Sequence, residues 1–579
     1  MAVEKLIVDH IDTWTTALQT RSTAGRGSSG KIELYGIKKL RELILELAVR
    51  GKLVPQDPND EPASELLKHI AAEKAELVKQ GKIKKPKPLP EISEEEKPFE
   101  LPAGWEWIKI SEIGHDWGQK TPDEDFTYID VGSINKEYGI IEEPSILSAK
   151  DAPSRARKIV QKGTVIYSTV RPYLLNIAII ESAFSPEPIA STAFAIIHPY
   201  TAMNANFIYY YLRSPVFINY VESCQTGVAY PAINDKQFFS GIIAVPPSSE
   251  QARITKKIKE LMSLCDQLEQ HSLTSLDAHQ QLVETLLTTL TDSQNANELA
   301  ENWARISEHF DTLFITEASI DALKQTILQL AVMGKLVPQD PNDEPASELL
   351  KRIAQEKAQL VKDGKIKKQK PLPPISDEEK PFELPEGWEW SRLDHVASKI
   401  TDGDHKTPPR IAEGYKLLSA KNIRDGFLDY ENCDYISESS YIKSRERCLP
   451  EKGDLLIVSV GGTIGRSSLI TGDSEFALVR SVAIIKPLII EPNFLKIAMD
   501  SQLLQSMIHS HKRGGAQPCL YLGEISKFLF PVPPLKEQKR IVKTVDIFMG
   551  ILETLTLAFQ SAQQTQLHLA DALTDAAIN

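Results

Sequence analysis

The sequence predicts an α+β chain in which two α/β domains sit on a helical scaffold, and its internal duplication implies pseudo-twofold symmetry. Three observations carry that expectation. Residues 37–107 and 320–390 are nearly the same sequence, roughly four positions in five being identical with no gap, and GKLVPQDPNDEPASELLK recurs unbroken at Gly51–Lys68 and Gly334–Lys351. The copies lie far apart, so one large unit is used twice and no short-period solenoid is present. Behind each copy comes a strand-rich segment, about 108–245 and 391–532, and these two segments hardly resemble each other. Behind each segment a long amphipathic helix opens on VPPSSEQARI (Val245–Ile254) or VPPLKEQKRI (Val532–Ile541).

In chain order, residues 1–36 begin with a short amphipathic helix through Leu6, Ile7, Ile11, Trp14 and Leu18, followed by a Gly/Ser loop, AGRGSSGK. Apolar residues at 37, 40, 43, 44, 47 and 48 recur at helical spacing, and Gly51 stands where such a helix would stop. PQDPNDEP is turn chemistry. A second helix is predicted from Ala63 to Gln80, with Ser64 as its candidate cap. The stretch GKIKKPKPLPEISEEEKPFELP reads as a Pro- and charge-rich strap with no room for a packed core. It leads to GWEW (Gly104–Trp107), whose tryptophans are candidate core anchors. FTYIDV, GTVIYSTV, LLNIAII and TAFAIIH then read as strands between turns, and Phe207–Tyr220 as a helix. Apolar positions 254, 258, 261, 262, 265 and 268 approach a 3.5-residue repeat, the pattern of helix-on-helix packing. The plan then repeats, with GWEW at Gly387–Trp390, strands at YKLLSA, GDLLIVSV and VRSVAIIKP, and a closing amphipathic helix. Domain boundaries follow at 1–104, 105–247, 248–387, 388–534 and 535–579.

The 579 residues suffice for about four domains. A net charge of −13 argues against a generic polycation, but a specific nucleic-acid binder needs local basic faces and no basic total. Five scattered cysteines without CxxC spacing read as free thiols in a reducing compartment and exclude a zinc ribbon. The start, MAVEKLIVDHIDTW, lacks the apolar core of a signal peptide, and no run of about 18 apolar residues spans a membrane. The expected location is the cytoplasm. Catalytic motifs are missing. There is no G-x-x-x-x-G-K-[ST] phosphate loop, no Asn/Asp-Pro-Pro-aromatic tetrapeptide, no HExxH and no G-x-S-x-G.

The duplicated frame, the VPP-x-x-EQ-x-RI after each unlike segment, and GGAQPCLYL before the second together resemble the specificity subunit of a Type I restriction–modification enzyme, over essentially the whole chain. The long segment IKKLRELILELAVRGKLVPQDPNDEPASELLK is most similar to the branch usually called Type IB. The resemblance implies two α/β target-recognition domains joined by long antiparallel coiled-coil helices. Each domain would read half of a split site in double-stranded DNA. The repeated helices would dock two methyltransferase subunits, through which restriction subunits join. The chain itself would be non-catalytic and hold no cofactor, with S-adenosylmethionine, ATP and Mg²⁺ on the partner subunits. One departure stands out: the first domain has TGVAYPAI (Thr226–Ile233) where the second has RGGAQPCL (Arg513–Leu520), so that only Gly227 and Pro231 match Gly514 and Pro518. Two other readings remain, a fused restriction/methylation enzyme and a helical scaffold with no DNA role.

Candidate DNA contacts are polar and basic residues on turns, because phosphate contacts position a domain and base-edge contacts specify the sequence. In the first domain these are Lys120 and Thr121; the cluster Arg155, Arg157 and Lys158; Ser168, Thr169, Arg171 and Tyr173 where a strand runs into a loop; and Tyr230. Arginine bonds guanine O6 and N7 bidentately, which makes Arg171 a candidate reader; the alternative is a salt-bridged surface arginine. In the second domain they are His405, Lys406 and Thr407 in TDGDHKTP; Ser459, Gly461, Thr463 and Arg466 in SVGGTIGR; and Lys512, Arg513, Gly514 and Gln517. Gln517 has the bidentate geometry for adenine. Asp-x-His invites a metal reading, but two groups without a third partner make no site.

Overall fold

The computed structural model describes residues 3–21, 31–84, 90–227, 230–472, 475–515 and 517–579. The Gly/Ser loop and the KPKPL stretch of the first strap lie outside the described residues. Two compact units are present, one holding Lys31–Leu273 and Gln563–Asn579, the other Thr274–Ala562. Each contains one copy of the repeated segment and one strand-rich domain. Each also takes the start of one long helix and the end of the other, since Ser248–Asp292 changes unit after Leu273 and Leu535–Ile578 after Ala562.

In the first unit the helix Tyr35–Val49 buries Ile37, Leu40, Leu43, Ile44, Leu47 and Ala48, the apolar face expected from their spacing. Its outer face carries Arg41, which pairs with Asp266 at 2.7 Å and Glu269 at 2.6 Å on the long helix. The second helix spans Ala63–Lys79, and Ser64 does not cap it. Pro62 occupies the cap position, and the buried donor at Ala63 N, which has no partner within the helix, is satisfied by Gly104 O at 2.8 Å. The second copy repeats this, with Ala346 N on Gly387 O at 2.8 Å. The strap is no loose tether over its second half. Phe99 packs on Trp107 with ring centroids 5.0 Å apart, and Glu96 pairs with Lys109 at 3.3 Å. Phe382 and Trp390 stand 5.1 Å apart, and Glu379 meets Arg392 at 2.8 Å.

The first strand-rich domain has two four-stranded sheets. One runs in the order Ile177–Ile179, Val165–Ser168, Phe194–Pro199, Gly114–His115, antiparallel throughout. The other runs Ser145–Leu147, Phe126–Ile129, Pro188–Ser191, Ala156–Ile159, with the central pair parallel. The helix expected over 207–220 is two helices, Ala205–Leu212 and Pro215–Cys224. Pro215 has no N–H to continue the first, and the Ser214 hydroxyl accepts from Phe217 N to start the second.

The second domain repeats the first sheet's order, as Ser467–Leu469, Leu455–Val458, Val482–Pro487, Ala397–Asp402. Its other sheet keeps three strands, Asp434–Ile436, Tyr415–Leu418 and Phe476–Leu478. In both units the strand opened by GWEW pairs with the strand leading into VPP: Glu106–Lys109 with Ile242–Val245, and Glu389–Arg392 with Leu529–Val532. The second unit's core runs from these strands to Ile541, Val545 and Leu552 of one long helix and Val283, Leu287 and Leu290 of the other. Among the described residues no helix is long and apolar enough to cross a membrane.

Candidate nucleic-acid interface

At one end of each four-stranded antiparallel sheet, backbone hydrogen bonds gather the loops singled out above. In the second domain they meet on the turn 478–482. Asp404 N donates to Leu478 O (2.8 Å), Gly403 N to Val482 O (3.2 Å), Arg480 N to Asp404 O (3.0 Å) and Ser459 N to Ser481 O (2.9 Å). The 513–520 loop joins through Gly461 N to Pro518 O (3.0 Å) and Leu520 N to Ser459 O (2.8 Å). The crossing is so close that a Cβ on Gly403 would fall 2.1 Å from Leu478 O. In this way the segments of His405, Ser459 and Gln517, up to 112 residues apart in sequence (517 − 405), form one surface.

The first domain is built alike. Thr192 N donates to Arg155 O (2.8 Å), Thr169 N to Ala193 O (2.9 Å), Ile233 N to Thr169 O (3.0 Å), Arg171 N to Pro231 O (2.8 Å) and Lys120 N to Arg157 O (3.0 Å). The departure at TGVAYPAI is therefore one of residues and not of backbone. Thr226 and Ala232 exchange two hydrogen bonds of 2.9 Å, as Arg513 and Cys519 do at 2.9 and 2.7 Å. Gly227 (φ 90°) and Gly514 (φ 96°) make the same left-handed turn, a conformation that glycine adopts without cost. Tyr230 stands where Gln517 stands.

Side chains divide these candidates. Arg155, Arg171, Tyr173, Tyr230, Lys406, Thr407, Thr463, Lys512, Arg513 and Gln517 are exposed. Four candidates, Lys158, Ser168, Thr169 and Ser459, are buried, against the expectation of exposed contacts. Lys158 is only 4% exposed and its ammonium bonds Asp235 at 3.0 Å, because its strand points it inward. The hydroxyls of Ser168, Thr169 and Ser459 are buried and donate to Val170 O, Ala193 O and Arg480 O. These bonds hold the loops in shape. Lys120 hydrogen-bonds Glu187, which raises its pKa, and Arg157 donates to the Thr121 hydroxyl. Arg466 lies 3.3 Å from Asp425. His405 and Arg447 converge on the buried Asp402 at 3.0 and 2.6 Å, and the Ser444 hydroxyl donates to Asp404. The Asp-x-His stretch is thus a locked turn, and among the described residues no group of three His, Cys, Asp or Glu is placed to hold a metal.

Arg171 sits at φ 50°, ψ 57°, with its guanidinium 4.9 Å from the Tyr230 ring centroid. The matching position in the second domain is Gly461, at φ 109°. A left-handed conformation costs a non-glycine residue roughly 1–2 kcal/mol, and such strain concentrates at functional positions.

Sequence reading missed the joint that carries each domain. Trp105 Nε1 donates to Glu250 at 3.0 Å, and Gln56 reaches the same carboxylate at 3.2 Å. Gln339 holds Glu537 likewise at 3.1 Å. Burial pushes both glutamate carboxyls up from their ordinary pKa. The neighbouring glutamines face the domains: Gln251 accepts from Asn204 N and donates to Pro246 O, while Gln538 accepts from Glu491 N and donates to Pro533 O. The EQ pair in VPP-x-x-EQ was the visible signal. Thr192 and Arg480, at the centre of the two clusters, were also missed.

Two unlike loop clusters on one duplicated frame define a two-headed recognition protein. The family model described as Type I restriction modification DNA specificity domain matches residues 102–278 and 385–558. The chain is 52% identical to the Type I restriction enzyme EcoAI specificity subunit of Escherichia coli and 48% identical to the EcoEI specificity subunit of the same species, each over 100% of both chains. A solved chain from work on complex assembly and conformational transition of the type I R-M system aligns over 83% of this chain and 99% of its own, at 22% identity and TM-score 0.49. The chain belongs to the specificity subunits of Type I restriction–modification systems. It is the subunit of sequence recognition and not the catalyst.

Proposed function

We propose that the chain binds double-stranded DNA at an asymmetric, bipartite site, each strand-rich domain reading one half across an unspecified gap. Two copies of a separate adenine methyltransferase dock on the two copies of the repeated frame, and restriction subunits join through them. S-adenosylmethionine, ATP and Mg²⁺ belong to those partners. A twofold-like arrangement of identical partners needs a self-similar surface, which one polypeptide supplies by repeating its frame. The observation that carries the reading is that matching backbone positions in the two clusters hold unlike residues, Arg171 against Gly461 and the exposed Tyr230 against the exposed Gln517. Replacing 391–532 with the matching segment of a relative tests it. One half of the methylated motif should change and the other stay, and a change in both halves or neither would sink the reading.

A further inference from the structure

The turn that ties the second cluster together presents a residue with no assigned role. Arg480 is exposed, and its backbone is held from both sides: its N–H donates to Asp404 O at 3.0 Å and its carbonyl accepts from the Ser459 hydroxyl at 3.3 Å. The side chain therefore leaves from a fixed point between the His405, Ser459 and Gln517 segments. Its charge is also unspent. Arg410, Arg424, Arg447, Arg466 and Arg513 each have a carboxylate within 4.0 Å, whereas Arg480 has none among the described residues. The matching turn in the first domain shares one bond, Thr169 N to Ala193 O as Ser459 N to Ser481 O, while Thr192 N donates to a different segment at Arg155 O, and there the exposed residue is Thr192.

We infer that Arg480 is a base-reading residue of the half-site bound by the second domain, donating its guanidinium fork to the O6 and N7 of a guanine in the major groove. A residue serving only the phosphate backbone would meet the same chemistry in both halves. The exchange of arginine for threonine on a shared turn is what differing half-sites require. The inference rests on the proposed function above.

The test uses the full complex with its methyltransferase subunits, carrying Arg480→Lys or Arg480→Ala. Single-molecule sequencing gives the methylated motif, and competition binding at several salt concentrations gives discrimination at each base pair. Arg480→Lys keeps the charge and loses the fork. It should lower discrimination at one position of that half-site tenfold or more, with the other half, non-specific affinity and the salt slope unchanged. Arg480→Ala should relax the same position and also weaken binding. Uniform weakening over all sequences with a shallower salt slope would make Arg480 a phosphate contact and overturn the inference, as would an unchanged motif in the well-folded lysine variant. If exchanging 391–532 still alters one half-site while Arg480→Lys alters nothing, only the assignment of Arg480 fails. If the exchange alters nothing, the broader reading fails with it.

Discussion

The two strand-rich domains share the order of their main sheet and the hydrogen bonds that gather their loops, yet they part at one edge. In the first, Ala156–Ile159 completes the second sheet as its fourth strand and brings Arg155 and Arg157 to the loop cluster. In the second, the helix Glu438–Arg447 lies against Phe476–Leu478, with Arg445 donating to Phe476 O at 3.2 Å and Arg447 locking the Asp402 turn. ARKI alternates between buried and half-buried positions and suits a strand, whereas ESSYIKSRER is mostly polar and forms a surface helix held by Tyr441, which stacks on Tyr415 with ring centroids 4.1 Å apart. The edge is thus replaceable, and the backbone of the cluster is the shared part. The two clusters differ through single side chains set on matching turns.

That comparison breaks most visibly by removing an anchor from one unit. Trp388→Ala should cost about 3–5 kcal/mol, as large aromatic truncations in cores do. Hydrogen exchange should rise through the second unit and leave protection around Trp105 in place. Equal loss in both units would show that they do not stand separately. Gly403→Ala acts at smaller scale. A methyl group 2.1 Å from Leu478 O must displace the turn, at about 1–3 kcal/mol. Methylation assays on half-site variants should show recognition lost for the second half and kept for the first.

Arg171→Gly sharpens the comparison by giving the first domain the residue type of Gly461. Release of left-handed strain offsets the extra chain entropy of glycine, so chemical denaturation should report stability within about 1 kcal/mol of wild type. Discrimination in the first half-site should nonetheless fall by about 1–3 kcal/mol, and Gln517→Ala should do the same in the second. The smallest effect concerns the joint. The Glu250 carboxyl is raised above 4.5 by burial, so the folded chain holds that proton more tightly than the unfolded one. Its contribution is complete below pH 4.5 and is lost as pH rises through the folded value. Glu250→Gln removes the loss, so the variant should gain on wild type in thermal stability as pH climbs above 4.5. Glu537→Gln should repeat the sign, since burial raises that carboxyl as well.

Much of this was legible in the chain because duplication writes the frame twice, and because glycine, proline and hydroxyl residues mark turns. The loops of Ser168, Ser459 and Gln517 stood out on that ground. Arg480 did not, since VRSVAIIKP reads as one β-rich run, while the strand starts only at Val482. Lys158 was misjudged because a basic triplet looks like a surface patch until strand alternation turns its last member inward. Hydroxyl partners are set by segments distant in sequence, such as Thr169 with Ala193 and Ser459 with Arg480, and no local pattern reveals them. Ser64 is no cap because the helix starts one residue before it, at Ala63, where the main chain is already held by Gly104 O, 41 residues on.

Gln251 and Gln538 each grip their domain through a main-chain group, the amides of Asn204 and Glu491, and Gln251 also reaches Met203 Sδ at 3.8 Å. Every non-proline amino acid supplies that amide. That part of the fastening does not depend on the composition of what it carries, so a foreign segment spliced in between GWEW and VPP would keep these two main-chain bonds. If each domain reads its own half-site as proposed, exchange at those two short stretches would change one head at a time.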